Sequence, residues 1–312
     1  MRVNKEVLVR IKGGSWRRDF SLHWSLYLMF LPVLLYFLIF NYLPMFGIVM
    51  AFQDFNAVKG FLGSEFVGLK NFVDFFSGPD FLTILRNTLV ISLLGLGVGF
   101  PLSIILALLL NEIYFTKFKK VVQTISYLPY FVSMVVIAGL IIEFVSTNGI
   151  ITDLFVMLGF RRENLLQNPK YFWAINLLSD IWQGLGYGSI IFIAAITNVS
   201  HELNEAAAID GANRFSRVLH ITIPSIMPTV ITMLVLRMGL LMTVGFDKIL
   251  LLYNPSIYST ADVISTHVAR LGLERMQYGY SAAVGLFNSV VGTFLLLSSN
   301  KLSKRFSENS VF

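Results

Sequence analysis

A chain of 312 residues that is 55% hydrophobic and only 13% charged carries about half the charge of a soluble domain, for which roughly 25% is usual. This excludes a soluble enzyme, a disordered scaffold and a coiled coil, and it places most of the chain in a bilayer. The absence of cysteine excludes disulfides, thiolate metal sites and cysteine nucleophiles. The net charge of +6 has to be read from its distribution along the chain before it says anything about partners.

The N-terminal stretch, residues 1–20, alternates Val3, Val7, Leu8 and Ile11 with basic residues. It reads either as a helix lying on an anionic leaflet or as a purely topogenic tail. It leads into an apolar run too long for the h-region of a signal peptide, and no A-x-A cleavage site follows. Six runs long enough to cross the hydrocarbon core follow, at 24–52, 82–110, 121–146, 172–199, 222–246 and 280–299. Pro44 predicts a kink or an early end in the first, and Pro129 is tolerable in the third because neighbouring helices can satisfy freed carbonyls.

Fourteen of the 24 Lys and Arg fall in 1–23, 111–120, 200–221 and 300–312, and eight in the longer segments 53–81, 147–171 and 247–279. The positive-inside rule then puts both termini in the cytoplasm, and the basic charge is a topological signal with no nucleic-acid partner implied. The predicted organisation is a tail at 1–23, a six-helix membrane domain at 24–300 and a second tail at 301–312. The outer segments 53–81 and 247–279, the latter with an Asn254-Pro255 turn, are apolar enough to pack on the protein itself or on a partner.

Polar residues inside the spans are functional candidates by default. Counted along their helices at 1.5 Å per residue, Asp180 and Arg237 both lie roughly 12–14 Å below the outer boundary, so the two are expected to pair, or Arg237 to face a cavity. Arg86 and Glu143 sit near outer span ends and are expected to snorkel. A sugar-binding cavity needs aromatic platforms and amide side chains, and Trp182, Gln183, Tyr187, Asn87 and Asn288, together with Asn198, supply those chemistries. Asn198 and Asn288 serve equally as interhelical hydrogen-bonding residues. Gly184, Gly186 and Gly188 are expected to permit close helix contact.

The cytoplasmic segment 200–221 differs from an ordinary connection. Glu205-Ala206-Ala207 is strong helix former, Asp210-Gly211 supplies a break, and a second short helix, 212–219, runs towards Pro224. Two short helices on a glycine hinge, held between two spans, form a bracket that can transmit force. Glu205-Ala206-Ala207, Asp210-Gly211-Ala212 and Ile221-x-x-Pro224 together resemble the EAA loop of ABC importer permeases. The segments at 180–187, 246–255, 260–264, 280–288 and 42–54 resemble the carbohydrate-uptake type, in its complex-saccharide branch, so the likeness covers nearly everything after about residue 24.

That resemblance implies an all-α membrane protein with the six-helix type I ABC importer permease fold. Glu205 is then the charged contact to a separate ATPase subunit and Gly211 the hinge, while Ala206, Ala207 and Ala212 allow close approach; Asp210 and Pro224 belong to the same motif. Phe215 is added as an apolar knob for the groove of that subunit. It also implies a second, similar permease in a heterodimer, two ATPase subunits carrying ATP and Mg, an extracellular solute-binding protein docking on 247–279, and an oligo- or polysaccharide moved by alternating access. The chain has no G-x-x-x-x-G-K-[ST] phosphate loop, so ATP hydrolysis is expected on the partner subunits, and no cofactor, metal site or catalytic residue is expected here. An importer for a non-sugar solute such as a peptide or phosphate ester, and a secondary transporter, are the rivals.

Overall fold

The computed structural model of the chain describes residues 16–306, with side chains at 19–304, so most of the basic N-terminal stretch and the last six residues lie outside the described residues. The chain divides into two compact units, 1–49 and 50–312. In the first, helix α1 (Trp16–Phe37) loses helical dihedrals at His23 (φ −122°, ψ 24°). It then passes through a π turn at Leu38–Tyr42 into a 3-10 stretch, Leu43–Phe52. The helix therefore does not end at Pro44; the ring falls near the start of the 3-10 stretch, where it costs least.

The second unit opens with a two-stranded antiparallel hairpin, β1 (Gln53–Asp54) and β2 (Glu65–Phe66), which qualifies the all-α expectation. Helices α2 (Lys70–Ser77) and α3 (Phe81–Leu94) follow, and a glycine-rich π turn (Gly95–Gly99) joins α3 to α4 (Phe100–Glu112). Next come α5 (Thr116–Tyr127), α6 (Met134–Phe144), α7 (Ile150–Met157) and the long α8 (Pro169–Thr197). After them run α9 (His201–Ile209), α10 (Arg214–Arg217), α11 (Ile223–Gly239), α12 (Phe246–Leu252), α13 (Ile264–Ala269) and α14 (Tyr278–Phe306).

Among the described residues five helices are long and apolar enough to cross a membrane: Asp19–Phe52, Phe81–Glu112, Pro169–Thr197, Arg214–Gly239 and Tyr278–Lys304. The pair Thr116–Phe131 and Met134–Phe144 makes six when counted as one span, but it bends by 99°. The expected straight helix at 121–146 is thus broken. Pro129 tightens the chain into 3-10 geometry at Leu128–Phe131, and Ser133 starts a new helix as its N-cap, its Oγ accepting from the Val136 amide.

The expected span 222–246 also stops early, at Gly239. There α11 meets α14 so closely that a Cβ on Gly239 would strike Leu296, and the chain turns inward through the buried Leu241, Met242 and Val244. The segment 247–279 is consequently no free outer loop. Ile249, Leu252, Ile257, Ala261 and Val263 join Ile137, Leu165 and Phe172 in one core cluster. A second cluster, with Phe100, Ala107, Phe192, Ile196 and Ile226, fastens α4, α8 and α11 together.

Candidate functional site

Asp180, Gln183, Gly184, Tyr187 and Gly188 of α8 share one lining with the glycine turn between α3 and α4. Together with the end of α11 and the inward-turning 240–245 segment they enclose a cavity of about 530 Å³. One wall is almost bare backbone, formed by Gly95, Gly99, Gly184 and Gly188. Set into the lining are Gln183, Asp180, Arg237, Ser92, Thr243 and two tyrosines. Tyr130 and Tyr187 lie face to face, with ring centroids 3.7 Å apart and planes within 2° of parallel. Both remain more than two-fifths exposed, which leaves an aromatic surface open to a flat apolar face such as that of a sugar ring.

The close approach that brings Tyr187 to Tyr130 is set by Gly186, where any Cβ would fall on the Ser126 carbonyl of α5. Gly188 faces the Ser103 side chain of α4, whereas Gly184 meets nothing within 4 Å and serves the cavity wall. A π turn such as Gly95–Gly99 shifts helix register and opens a recess of this kind.

Asp180 does not pair with Arg237. Its partner is Lys248 of α12, whose Nζ lies 2.5 Å from Asp180 Oδ1. The inward turn after α11 carries Lys248 from its supposed outer-loop position to the depth of α8. Arg237 lines the same cavity, exposed and, among the described residues, with no hydrogen bond or ion pair.

The remaining sequence candidates separate. Gln183 and Tyr187 line the cavity. Trp182 does not: it sits on another face of α8, in an apolar pocket of about 350 Å³ with Leu140, Phe144, Phe155 and Tyr171. Asn87 is fully buried away from the cavity, its amide donating to the carbonyls of Ser259 (3.2 Å) and Asp262 (2.9 Å), so it pins the 247–279 segment to α3. Asn288 lies on α14, outside the cavity lining, with its Oδ1 buried and without a partner among the described residues. Asn198 bonds back to Ala194 of its own helix. Arg86 is exposed, donates to the Ser259 carbonyl and lies over the Trp173 ring. Tyr130 and Lys248 escaped sequence reasoning, the first beside a proline break and the second in an apparent loop.

Away from the cavity, the 200–221 segment forms the bracket with the expected hinge. Gly211 adopts φ +83°, and the amides of Gly211 and Ala212 close onto the carbonyls of Ala208 (3.2 Å) and Ala207 (2.9 Å). This is the paired hydrogen-bond arrangement that ends a helix on a left-handed glycine. Asn213 then caps α10, its Oδ1 accepting from the Ser216 amide at 2.8 Å, and a π turn at Val218–Thr222 feeds α11, whose first turn holds Pro224. The second helix is thus no separate short element but the start of the continuous helix Arg214–Gly239, and Ala212 belongs to the turn. Glu205, Ala206 and Asp210 are exposed, Ala207 and Ala212 half-buried, and Phe215 stands 75% exposed.

Residues 99–307 match the family described as the inner membrane component of binding-protein-dependent transport systems. The chain belongs to that family. This permease is 43% identical to the polygalacturonan/rhamnogalacturonan transport system permease protein YteP of Bacillus subtilis (strain 168), over 92% of its own length and 90% of the relative's. It also superimposes on a chain from the crystal structure of a bacterial ABC transporter involved in the import of the acidic polysaccharide alginate, with TM-score 0.87 and 41% identity, covering 93% of the permease and 99% of that chain. A second structure of the alginate transporter, in complex with its pentasaccharide-bound periplasmic protein, gives TM-score 0.87 at 40% identity, over 95% and 99%. The permease has the type I ABC importer fold and is a multi-pass protein of the inner membrane.

Proposed function

We propose that this permease forms one half of the path by which an acidic, uronate-containing oligosaccharide enters the cell by alternating access, with ATP hydrolysed on separate subunits. The carrying observation is the cavity: a stacked tyrosine pair, an amide, hydroxyls and an uncompensated arginine around a glycine wall suit a flat, hydroxyl-rich, anionic solute. The relatives support the acidic class, since galacturonan and alginate are both polymers of uronic acids, bearing one carboxylate on each uronate ring.

The bracket at 205–224 is the proposed docking element for an ATPase subunit, where the exposed Glu205, Ile209 and Phe215 meet its groove and Gly211 sets the angle between α9 and the helix Arg214–Gly239. Closure of two ATPase subunits on ATP and Mg would then tilt the spans as rigid bodies. Both termini are cytoplasmic in this reading, with 1–23 and 301–312 as tails. A second permease completes the path, and a solute-binding protein docks outside, as one does in the alginate transporter.

Co-purification followed by reconstitution tests the proposal. The permease should bring down an ATPase and a second permease, and proteoliposomes holding the complex should take up trigalacturonate or an alginate trisaccharide only with ATP and the binding protein. Uptake by this chain alone, or uptake of glycerol phosphate with neither uronate carried, overturns it.

A further inference from the structure

Two cations and one carboxylate meet at the cavity, and they are unequally matched. Lys248 is 1% exposed, and its Nζ donates to Asp180 Oδ1 (2.5 Å), Ser179 Oγ (3.0 Å) and the Asn176 carbonyl (3.0 Å). Three acceptors saturate an ammonium group. The other oxygen of Asp180 accepts from Asn176 Nδ2 at 3.0 Å. The cavity's only carboxylate among its lining residues is therefore engaged through both oxygens, although its side chain is still half exposed. Arg237 shares that cavity with no counter-ion among the described residues. It sits in the last turn of α11, whose carbonyls supply about half a unit of negative charge, so a net positive charge is left over. Within a membrane an unmatched cation is costly and calls for an anion from elsewhere.

We infer that Arg237 is the carboxylate-reading residue of the permease and that Lys248 is the positioning residue that keeps it so. By occupying Asp180, Lys248 prevents an Arg237–Asp180 pair that would cancel the cavity's charge and repel an anionic sugar. A guanidinium left free offers a forked pair of donors matched to one carboxylate. This inference rests on the acidic-saccharide reading and names the residues that enforce it.

The test uses the complete complex in proteoliposomes with its binding protein, and trigalacturonate and its neutral methyl ester as probes. Each variant's acid-to-ester uptake ratio is compared with that of the wild type, so that the binding protein's own preference cancels. Arg237→Ala should lower the acid-to-ester uptake ratio at least tenfold. Arg237→Lys, which keeps the charge and loses the fork, should fall between. Lys248→Met should lower the ratio about as far as Arg237→Ala although it touches no sugar, and adding Asp180→Asn should restore it to within threefold. Where Lys248→Met fails to assemble, the double variant, which buries no unpaired charge, carries the test by its ratio. Wild-type acid uptake by Arg237→Ala, equal loss of both probes, or a double variant that assembles yet keeps a tenfold-reduced ratio overturns the inference alone. A wild-type complex that carries the ester but neither trigalacturonate nor an alginate trisaccharide overturns the acidic reading as well.

Discussion

Tyr130 and Tyr187 stack face to face at 3.7 Å although 57 positions separate them in the chain, one following the proline break after α5 and the other in the middle of α8. Each ring covers one face of the other, so the pair presents a double-thickness platform that is held more rigidly than a lone tyrosine. An aromatic pair of this kind contributes about 0.5–1.5 kcal/mol beyond its buried area. Tyr187→Ala should remove both platform and stack and lower oligosaccharide uptake about tenfold at unchanged membrane level, whereas Tyr187→Phe should stay within threefold. Transport assays in proteoliposomes read the difference, and equal activity of the two variants would contradict a stacking role.

The hinge at Gly211 invites a graded substitution. Its φ of +83° disfavours any L side chain, yet a Cβ placed there would meet no atom within 4 Å, so the cost of Gly211→Ala is conformational only, about 1–2 kcal/mol. Gly211→Pro adds the loss of the amide that bonds the Ala208 carbonyl and forces φ to a negative value. Uptake should therefore decline from Gly to Ala to Pro, and Glu205→Lys should also uncouple transport from ATP hydrolysis. In each case membrane insertion should persist. Uptake at the wild-type rate by Gly211→Pro or Glu205→Lys would sink the coupling assignment.

Gly186 allows the contact between α5 and α8 that brings the tyrosines together. Even a methyl group there meets the Ser126 backbone carbonyl, which cannot swing aside as a side chain can. Gly186→Ala should destabilise the permease by about 1–3 kcal/mol through overpacking. Thermal unfolding in detergent measures it, and Gly184→Ala, where the same methyl group meets open space, is the matched control expected to unfold at the wild-type temperature.

Asp262 anchors the 247–279 segment. It is ion-paired to Arg270, and its Oδ1 also accepts from Thr266 at 2.8 Å. Burial pulls its carboxyl pKa up, but the neighbouring His267, 3.7 Å away, and the hydrogen bonds and charge of Arg270 outweigh that and hold it below the usual value of 3.8. A folded-state value below the unfolded one contributes stability that is fully present above about pH 4 and is lost as pH falls through the lowered value. Unfolding between pH 6 and pH 3 should show that loss, and Asp262→Asn should abolish it. Asp262→Ala, which leaves a mostly buried guanidinium unpaired, should cost about 3–5 kcal/mol in thermal unfolding.

Local chemistry made parts of this protein legible without coordinates. Apolar runs reveal spans because a helix in hydrocarbon must satisfy its own backbone, and Asp210-Gly211 announces a helix end because the left-handed conformation belongs to glycine. Gln183, Tyr187 and Arg237 were identifiable for the same reason: polar groups at membrane depth are rare enough to be noticed one by one. The 99° bend after Phe131 was less legible, since Pro129 signals a disturbance but not its angle, which neighbouring helices decide.

Pairing lay beyond the sequence altogether. Asp180 and Arg237 share a depth, yet Asp180 belongs to Lys248, because the chain turns inward after Gly239 and delivers a lysine that hydropathy assigns to an outer loop. Asn87 and Trp182 have sugar-binding chemistry but point to the 247–279 segment and to a separate apolar pocket. By itself the sequence determined which runs are apolar enough to cross a membrane and that a helix ends on a left-handed glycine at Gly211. Only the tertiary structure decided which side chains share a cavity and which charge is left free in it, since such contacts join residues dozens of positions apart through packing that no local pattern encodes.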